Sequence, residues 1–259
     1  MDNKESTAIR VERVGEVAWV TIDRLPVNAI TLADYQRITD VFAEISGSPD
    51  VMCVVLTGAG ERAFCAGLDL HEFMASTPEE DPARALIVRN TFEAIRTCAV
   101  PVIAAVNGPA LGAGAALASS ADIRIASERA TFGMPEINIG RCGGASHLGR
   151  HIPQGLLRKM FFTGEPIDAH EGYRVGLVDE VVKSSAELHA AAERLAAIIA
   201  SKSRTGLTYG KASLNEVEGL RVEVGYPIEQ AYSTRLMGTP DAREAVTAVI
   251  EKRAPVWGN

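Results

Sequence analysis

The sequence has no run of basic residues, no cysteines paired at metal-ligand spacing and no apolar stretch fit for a membrane. Each absence removes a class of function. Among 259 residues there are 26 Lys+Arg and 33 Asp+Glu, a formal net charge of −7. Nucleic acid and anionic membranes both attract clustered Lys/Arg, so neither is expected as a partner. Residues 1–10 (MDNKESTAIR) are polar and lack the apolar segment of a secretory signal. The long uncharged stretch 98–121 carries Pro101, Asn107, Gly108, Pro109, Gly112 and Gly114. It reads as a buried strand, a turn and a buried helix rather than a membrane span. Cys53 and Cys98 lie in apolar runs, and Cys65 and Cys142 have no metal-like spacing, so we expect reduced thiols in a cytoplasmic protein. His71 and Glu72 have no second histidine at helical spacing, and no metal is expected.

What is present is a globular composition, 47% hydrophobic and 23% charged. That much chain buries a large core in one domain, with at most a small appendage. The first half alternates strand and helix signals. Residues 17–23 (VAWVTID) are β-rich and end at the turn 24–28. Thr31 opens a helix, with Asp34 three residues on as a capping box and Ile38, Val41, Phe42 and Ile45 as the apolar stripe. Residues 51–56 (VMCVVL) are continuously apolar, as for a strand covered on both faces. A helix over 82–97, a strand over 101–106, a small-residue helix over 111–119 and a strand over 122–126 follow. This rhythm predicts an α/β fold with a mostly parallel sheet. No Gly-x-Gly-x-x-Gly opens the first helix, so dinucleotide binding has no support. The second half turns helical, with capping patterns at 168–171 and 184–187, an Ala-rich run over 188–200, and Thr239-Pro240 ahead of a helix over 242–252. We divide the chain into a core, 1–195, and a C-terminal helical region, 196–259.

Three segments bear chemistry. Residues 56–70 (LTGAGERAFCAGLDL) carry a strand into a glycine-bearing loop. Residues 106–114 (VNGPALGAG) carry a strand into a helix start. Residues 130–140 (ATFGMPEINIG) hold one carboxylate, Glu136, in apolar surroundings. Glycine lets a ligand approach the main chain, and a helix N-terminus offers unpaired N–H groups. Two such turns face to face can aim two donors at one oxygen and hold an oxyanion. A carboxylate in an apolar setting has a raised pKa and moves protons. Glycine-rich turns also serve packing alone, and spacing leaves both readings open.

The motifs resemble those of the crotonase (enoyl-CoA hydratase/isomerase) family from about Val11 to the C-terminus. They comprise 24–29 (RLPVNA), 63–69 (AFCAGLD), 106–114 (VNGPALGAG), 121–126 (ADIRIA), 131–136 (TFGMPE), 162–164 (FTG), 176–180 (GLVDE) and 251–255 (EKRAP), in family order. The resemblance implies a crotonase-like (ClpP/crotonase) spiral of ββα units with a C-terminal helical region, assembled as a homotrimer or dimer of trimers. It implies an acyl-CoA substrate, coenzyme A arriving as part of it, and no further cofactor. The oxyanion-hole donors fall on the Leu68 and Ala113 backbone N–H groups. Substrate contacts fall on Val27, Ala66, Gly67, Leu68, Asp69, Leu70 and Gly112. Core and helical region then correspond to acyl-CoA chemistry and oligomerisation.

The pattern departs from the family's hydratases, which carry two catalytic glutamates. The second matches Glu136. The first falls on Ala116, which holds no water and takes no proton. The segment after Glu136, EINIGRCGG, looks shortened against the family's loop. One glutamate suffices for a Δ3,Δ2-enoyl-CoA isomerase, where it takes a proton from one carbon and returns it two carbons away. That reaction is the expectation. Hydration by Glu136 alone, decarboxylation, C–C hydrolysis, retro-aldol cleavage and acyl-CoA binding without turnover stay open. Ala116, Cys142 and His147 are candidate pocket residues. His147 reads as a helix-start histidine with a structural hydrogen bond, a second acid–base group being the alternative. Ser146 next to His147 is not a nucleophile pair, and no Gly-x-Ser-x-Gly elbow is present. Asp69 reads as a loop-fixing residue. Tyr226, Tyr232 and Trp257 are assigned by default to core packing, a subunit contact or a cover over the acyl pocket being the alternatives.

Overall fold

The computed structural model describes residues 8–258. Residues 1–7, most of the polar opening segment, and Asn259 lie outside the described residues. The chain opens with β1 (Ile9–Val14) and β2 (Val17–Ile22), then α1 (Leu32–Gly47), β3 (Cys53–Gly58), α2 (Leu70–Ala75) and α3 (Asp81–Arg96). Next come β4 (Val102–Val106), β5 (Ala110–Leu111), α4 (Ala113–Ser120), β6 (Ile123–Ser127) and β7 (Thr131–Gly133). Then follow a 3-10 turn at Pro135–Ile139, α5 (Ala145–Leu148), α6 (Gln154–Thr163), β8 (Ile167–Asp168), α7 (Ala169–Val175) and β9 (Glu180–Val182). Helices α8 (Ser185–Ala200), α9 (Arg204–Val217), α10 (Val222–Met237) and α11 (Pro240–Glu251) complete it.

Six strands form one sheet in the order β1-β2-β3-β4-β6-β9. Only β1 pairs antiparallel; the other neighbours run parallel. The sheet is covered on both faces, which explains its uninterrupted apolar runs. Val54, Leu56, Val102, Ala104 and Val106 face the main core with α1, α3 and α4, whereas Cys53, Val55, Ile103 and Ala105 face Leu188, Ala191, Ala192 and Ala196 of α8. Helix α8 therefore passes through residues 195 and 196 while packed on the sheet. The helices α9 to α11 extend beyond it. Lys211 of α9 reaches back into the core, its Nζ donating to Ile95 O at 3.3 Å and Val100 O at 3.2 Å and pairing with Asp122 Oδ2 at 2.7 Å.

The expected helix over 111–119 starts two residues late. Ala110 and Leu111 instead pair with Phe132 and Gly133 in a small second sheet, β5-β7-β8. Pattern reading also misses β1, whose IRVERV is exposed after its first residue, and β7, β8 and β9, which are three residues long or less. Core packing is corrected for Tyr226 and Tyr232. Tyr226 is 56% exposed, and Tyr232 lies at the surface, bonded to Glu216 and edge-on to Tyr209. No described helix is long and apolar enough to cross a membrane.

Candidate active site

The first glycine-bearing loop is stapled so that one amide is left over. Asn28, fully buried, donates through Nδ2 to Ala59 O and Ala63 O, both at 2.9 Å, and pins the 24–29 turn beneath the loop. Ala66 N–H donates to Val27 O at 3.0 Å, Gly67 N–H approaches Cys65 Sγ at 3.4 Å, and Asp69 N–H donates to Ile30 O at 2.9 Å. Leu68 N–H has no acceptor among the described residues. The second turn repeats the device. Leu111 N–H donates to Cys65 O at 3.0 Å and Gly112 N–H to Gly133 O at 2.9 Å, while Ala113 opens α4 with its N–H free, as the first turn of a helix requires.

Close approach joins the two turns. A methyl group on Gly114 would stand 2.0 Å from Cys65 O, so only glycine lets α4 sit this near the first loop. On Gly67 it would stand 3.6 Å from Ala113 N. The leftover amides of Leu68 and Ala113 thus belong to loops in contact.

Glu136 enters from the third segment, on the 3-10 turn behind β7. Its Oε1 lies 2.8 Å from where a Cβ on Gly112 would be, and Gly112 has φ 56°, so a side chain there would be strained and would displace the carboxylate. The carboxylate therefore sits beside the residue that precedes the Ala113 amide. Its Oε2 is buried without a hydrogen-bond partner among the described residues. Burial pushes the pKa of Glu136 above the ordinary carboxylate range, only partly opposed by its own backbone N–H.

A cavity of about 300 Å³ contains Ala66, Gly67, Leu68, Leu70, Gly112, Ala113, Ala116, Glu136 and Cys142 in its walls. Ala116 is wholly buried there, and Glu136 is the cavity's one carboxylate among the described residues. Val27 and Asp69 are not in the wall. Val27 supplies the carbonyl that holds Ala66, and Asp69 caps α2, accepting from His71 N at 2.9 Å and Glu72 N at 3.0 Å. His147 borders an adjoining recess, its Nδ1 3.3 Å from Ser120 Oγ and its ring edge-on to Phe92. Burial lowers its pKa. Sequence reasoning missed Tyr35, Val88 and Phe92 in the wall. The period-four spacing of Val88 and Phe92 on α3 carried the signal; Tyr35 reads as ordinary core.

Two free amides from touching loops stand beside a half-buried acid, an arrangement chemically able to hold a developing oxyanion while a proton moves. The comparisons give the family. A model described as enoyl-CoA hydratase/isomerase matches residues 12–259, and the chain belongs to that family. It is similar to the short-chain-enoyl-CoA hydratase of Clostridium acetobutylicum, 36% identical over 96% of this chain and 97% of the relative. It is also similar to the (7aS)-7a-methyl-1,5-dioxo-2,3,5,6,7,7a-hexahydro-1H-indene-carboxyl-CoA hydrolase of Mycobacterium tuberculosis, 38% identical over 91% and 95% of the two chains. Among solved structures, an enoyl-CoA hydratase from Bacillus anthracis superposes with a TM-score of 0.92 at 31% identity, covering 97% of this chain and 99% of that one. The protein is thus a crotonase-fold acyl-CoA enzyme.

Proposed function

We propose that this enzyme shifts a double bond along an acyl-CoA, in the manner of a Δ3,Δ2-enoyl-CoA isomerase. The thioester oxygen accepts from the Leu68 and Ala113 amides. Glu136 takes a proton from the carbon next to the carbonyl, and the charge passes into a dienolate whose oxygen stays between the amides. The same carboxyl then delivers the proton two carbons further on, and the double bond moves into conjugation. A single donor in such a hole contributes ~3–4 kcal/mol to the transition state. The 66–70 loop, backed by Val27, takes the coenzyme A side largely through its backbone.

The observation that carries this reading is the solitary carboxylate. Glu136 lines the same cavity as a buried Ala116, and Gly144 closes on the Ala116 side chain, 3.5 Å away for an added Cβ. Hydration needs water activated at one carbon while the next is protonated, which one carboxylate does less readily. The name of the Clostridium relative favours hydration by Glu136 alone as the second reading. Incubating 3-enoyl-CoA and 2-enoyl-CoA separately, then weighing the products, separates the two. An unchanged mass with a moved double bond from the 3-enoyl substrate supports isomerisation; a gain of one water from the 2-enoyl substrate supports hydration. Proton transfer as proposed runs on the chain's own amides and carboxyl group.

Cytoplasmic location and a homotrimer or dimer of trimers belong to the same proposal. Free, buried Cys53, Cys65 and Cys98 support the first. Val222, Met237, Val249 and Ile250, each more than 70% exposed on α10 and α11, support an oligomer contact in the helical region.

A further inference from the structure

Beyond Val88 and Phe92 the cavity adjoins a second recess of about 280 Å³, between α3 and the segment 141–147. Leu68, Val88, Phe92 and Arg141 border both spaces. The recess is cationic, with Arg84, Arg89 and Arg141 in its walls beside a single carboxylate among the described residues, Asp81. Arg141 is already engaged, 2.7 Å from Asp81 and 5.0 Å above the Phe73 ring.

Arg84 is different. Its side chain is 18% exposed, and its Nη2 is buried with no hydrogen-bond partner among the described residues. The nearest carboxylate oxygen, Glu72 Oε2, is 3.9 Å away and accepts instead from Leu32 N–H at 2.9 Å. At 3.9 Å no hydrogen bond forms. A guanidinium nitrogen withdrawn from water and left without an acceptor is costly, and the proposed chemistry makes no use of it. Arg84, Val88 and Phe92 recur every four residues on α3, so Arg84 stands about 6 Å beyond Val88 along the helix. An acyl chain running along Phe92 and Val88 toward the start of α3 would come to Arg84 next.

We infer that the acyl group accepted by this enzyme carries a carboxylate at its far end, and that Arg84 receives it. The substrate class is then an ω-carboxyl acyl-CoA, held at one end by the two amides and at the other by a guanidinium whose planar fork matches two carboxylate oxygens. Coenzyme A brings anions of its own in its phosphates. Val88 and Phe92, which border both spaces, give a methylene chain an apolar surface leading toward the charged end of the recess.

This inference rests on the acyl-CoA reading of the cavity, and the test separates the two. Calorimetric titration at fixed ionic strength compares adipoyl-CoA with hexanoyl-CoA, and suberoyl-CoA with octanoyl-CoA. Both pairs are saturated, so binding is read independently of the reaction that Glu136 carries out. We expect the intact enzyme to hold at least one carboxyl-ended member about tenfold or more tighter than its methyl-ended partner. Arg84→Met abolishes that preference and leaves hexanoyl-CoA within about twofold, while Arg84→Lys keeps part of it. Equal binding of both members of each pair by the intact enzyme overturns the inference and leaves the acyl-CoA reading standing. If Arg84→Met weakens hexanoyl-CoA and free coenzyme A as much as adipoyl-CoA, Arg84 serves the phosphates or the fold, and the inference is again overturned. Failure of every thioester to bind overturns both.

Discussion

Glu136 combines burial, solitude and nearness to the second amide turn, and its substitution reads all three. Glu136→Gln keeps the size and removes the proposed proton carrier. We expect turnover to fall ~100-fold or more with acyl-CoA affinity nearly intact, measured as kcat beside a binding titration. The acid limb of kcat/KM in the intact enzyme should lie above the ordinary carboxylate range, since burial raises the pKa of this group. Stability gives a second readout with a definite sign. A carboxyl whose folded-state pKa is raised favours the folded protein below the unfolded pKa and loses that contribution as pH rises through the folded value. Glu136→Gln should therefore raise Tm relative to the intact protein near neutral pH and lose the advantage in acid, as seen by calorimetry across pH.

At the scale of elements, α1 depends on its first turn. Thr31 and Asp34 form a reciprocal capping box, and Asp34 also accepts from Ala8 N and Arg24 Nε, each at 2.9 Å. Burial works against the Asp34 charge, yet the hydrogen bonds from Arg24, Thr31 and Ala8 outweigh it and lower its pKa. This cap sets the start of the helix that carries Tyr35 to the cavity wall. Thr31→Ala should cost ~1 kcal/mol in urea unfolding, the usual loss for a cap. Asp34→Ala should cost more, ~2 kcal/mol, because it leaves the Ala8 and Thr31 donors without their acceptor, while the part-exposed Arg24 head group can turn to water.

For the whole molecule, the question is how the helical region is fixed to the sheet layers. Lys211 is 6% exposed, and its ammonium satisfies two carbonyls and the Asp122 carboxylate across the junction. Within the helical region itself, Trp257 Nε1 donates to Ser201 O at 2.9 Å and ties the C-terminal segment to the end of α8. Lys211→Met leaves those acceptors without their cation. We expect a loss of about 3 kcal/mol, seen as a lower Tm, with faster limited proteolysis confined at first to the segment after α8.

The central sheet was legible in the residues because its strands are covered on both faces, and their apolar runs admit no other economical reading. The helix starts at Thr31, Asp168, Ser184 and Thr239 were legible because each cap is a local bond between a side chain and an amide a few residues on. The short strands β5, β7, β8 and β9 were not, since two or three residues have no period and are fixed only by their partners. The same division runs through the site. Glu136, the two glycine turns and the alanine at 116 stand in the sequence, together with the motifs that give the family. Which amides remain unbonded, that Asp69 caps a helix and leaves the cavity wall to others, and that Arg84 ends beside a recess without an acceptor depend on contacts between segments far apart in the chain. Those contacts exist only once the sheets and helices have closed on one another.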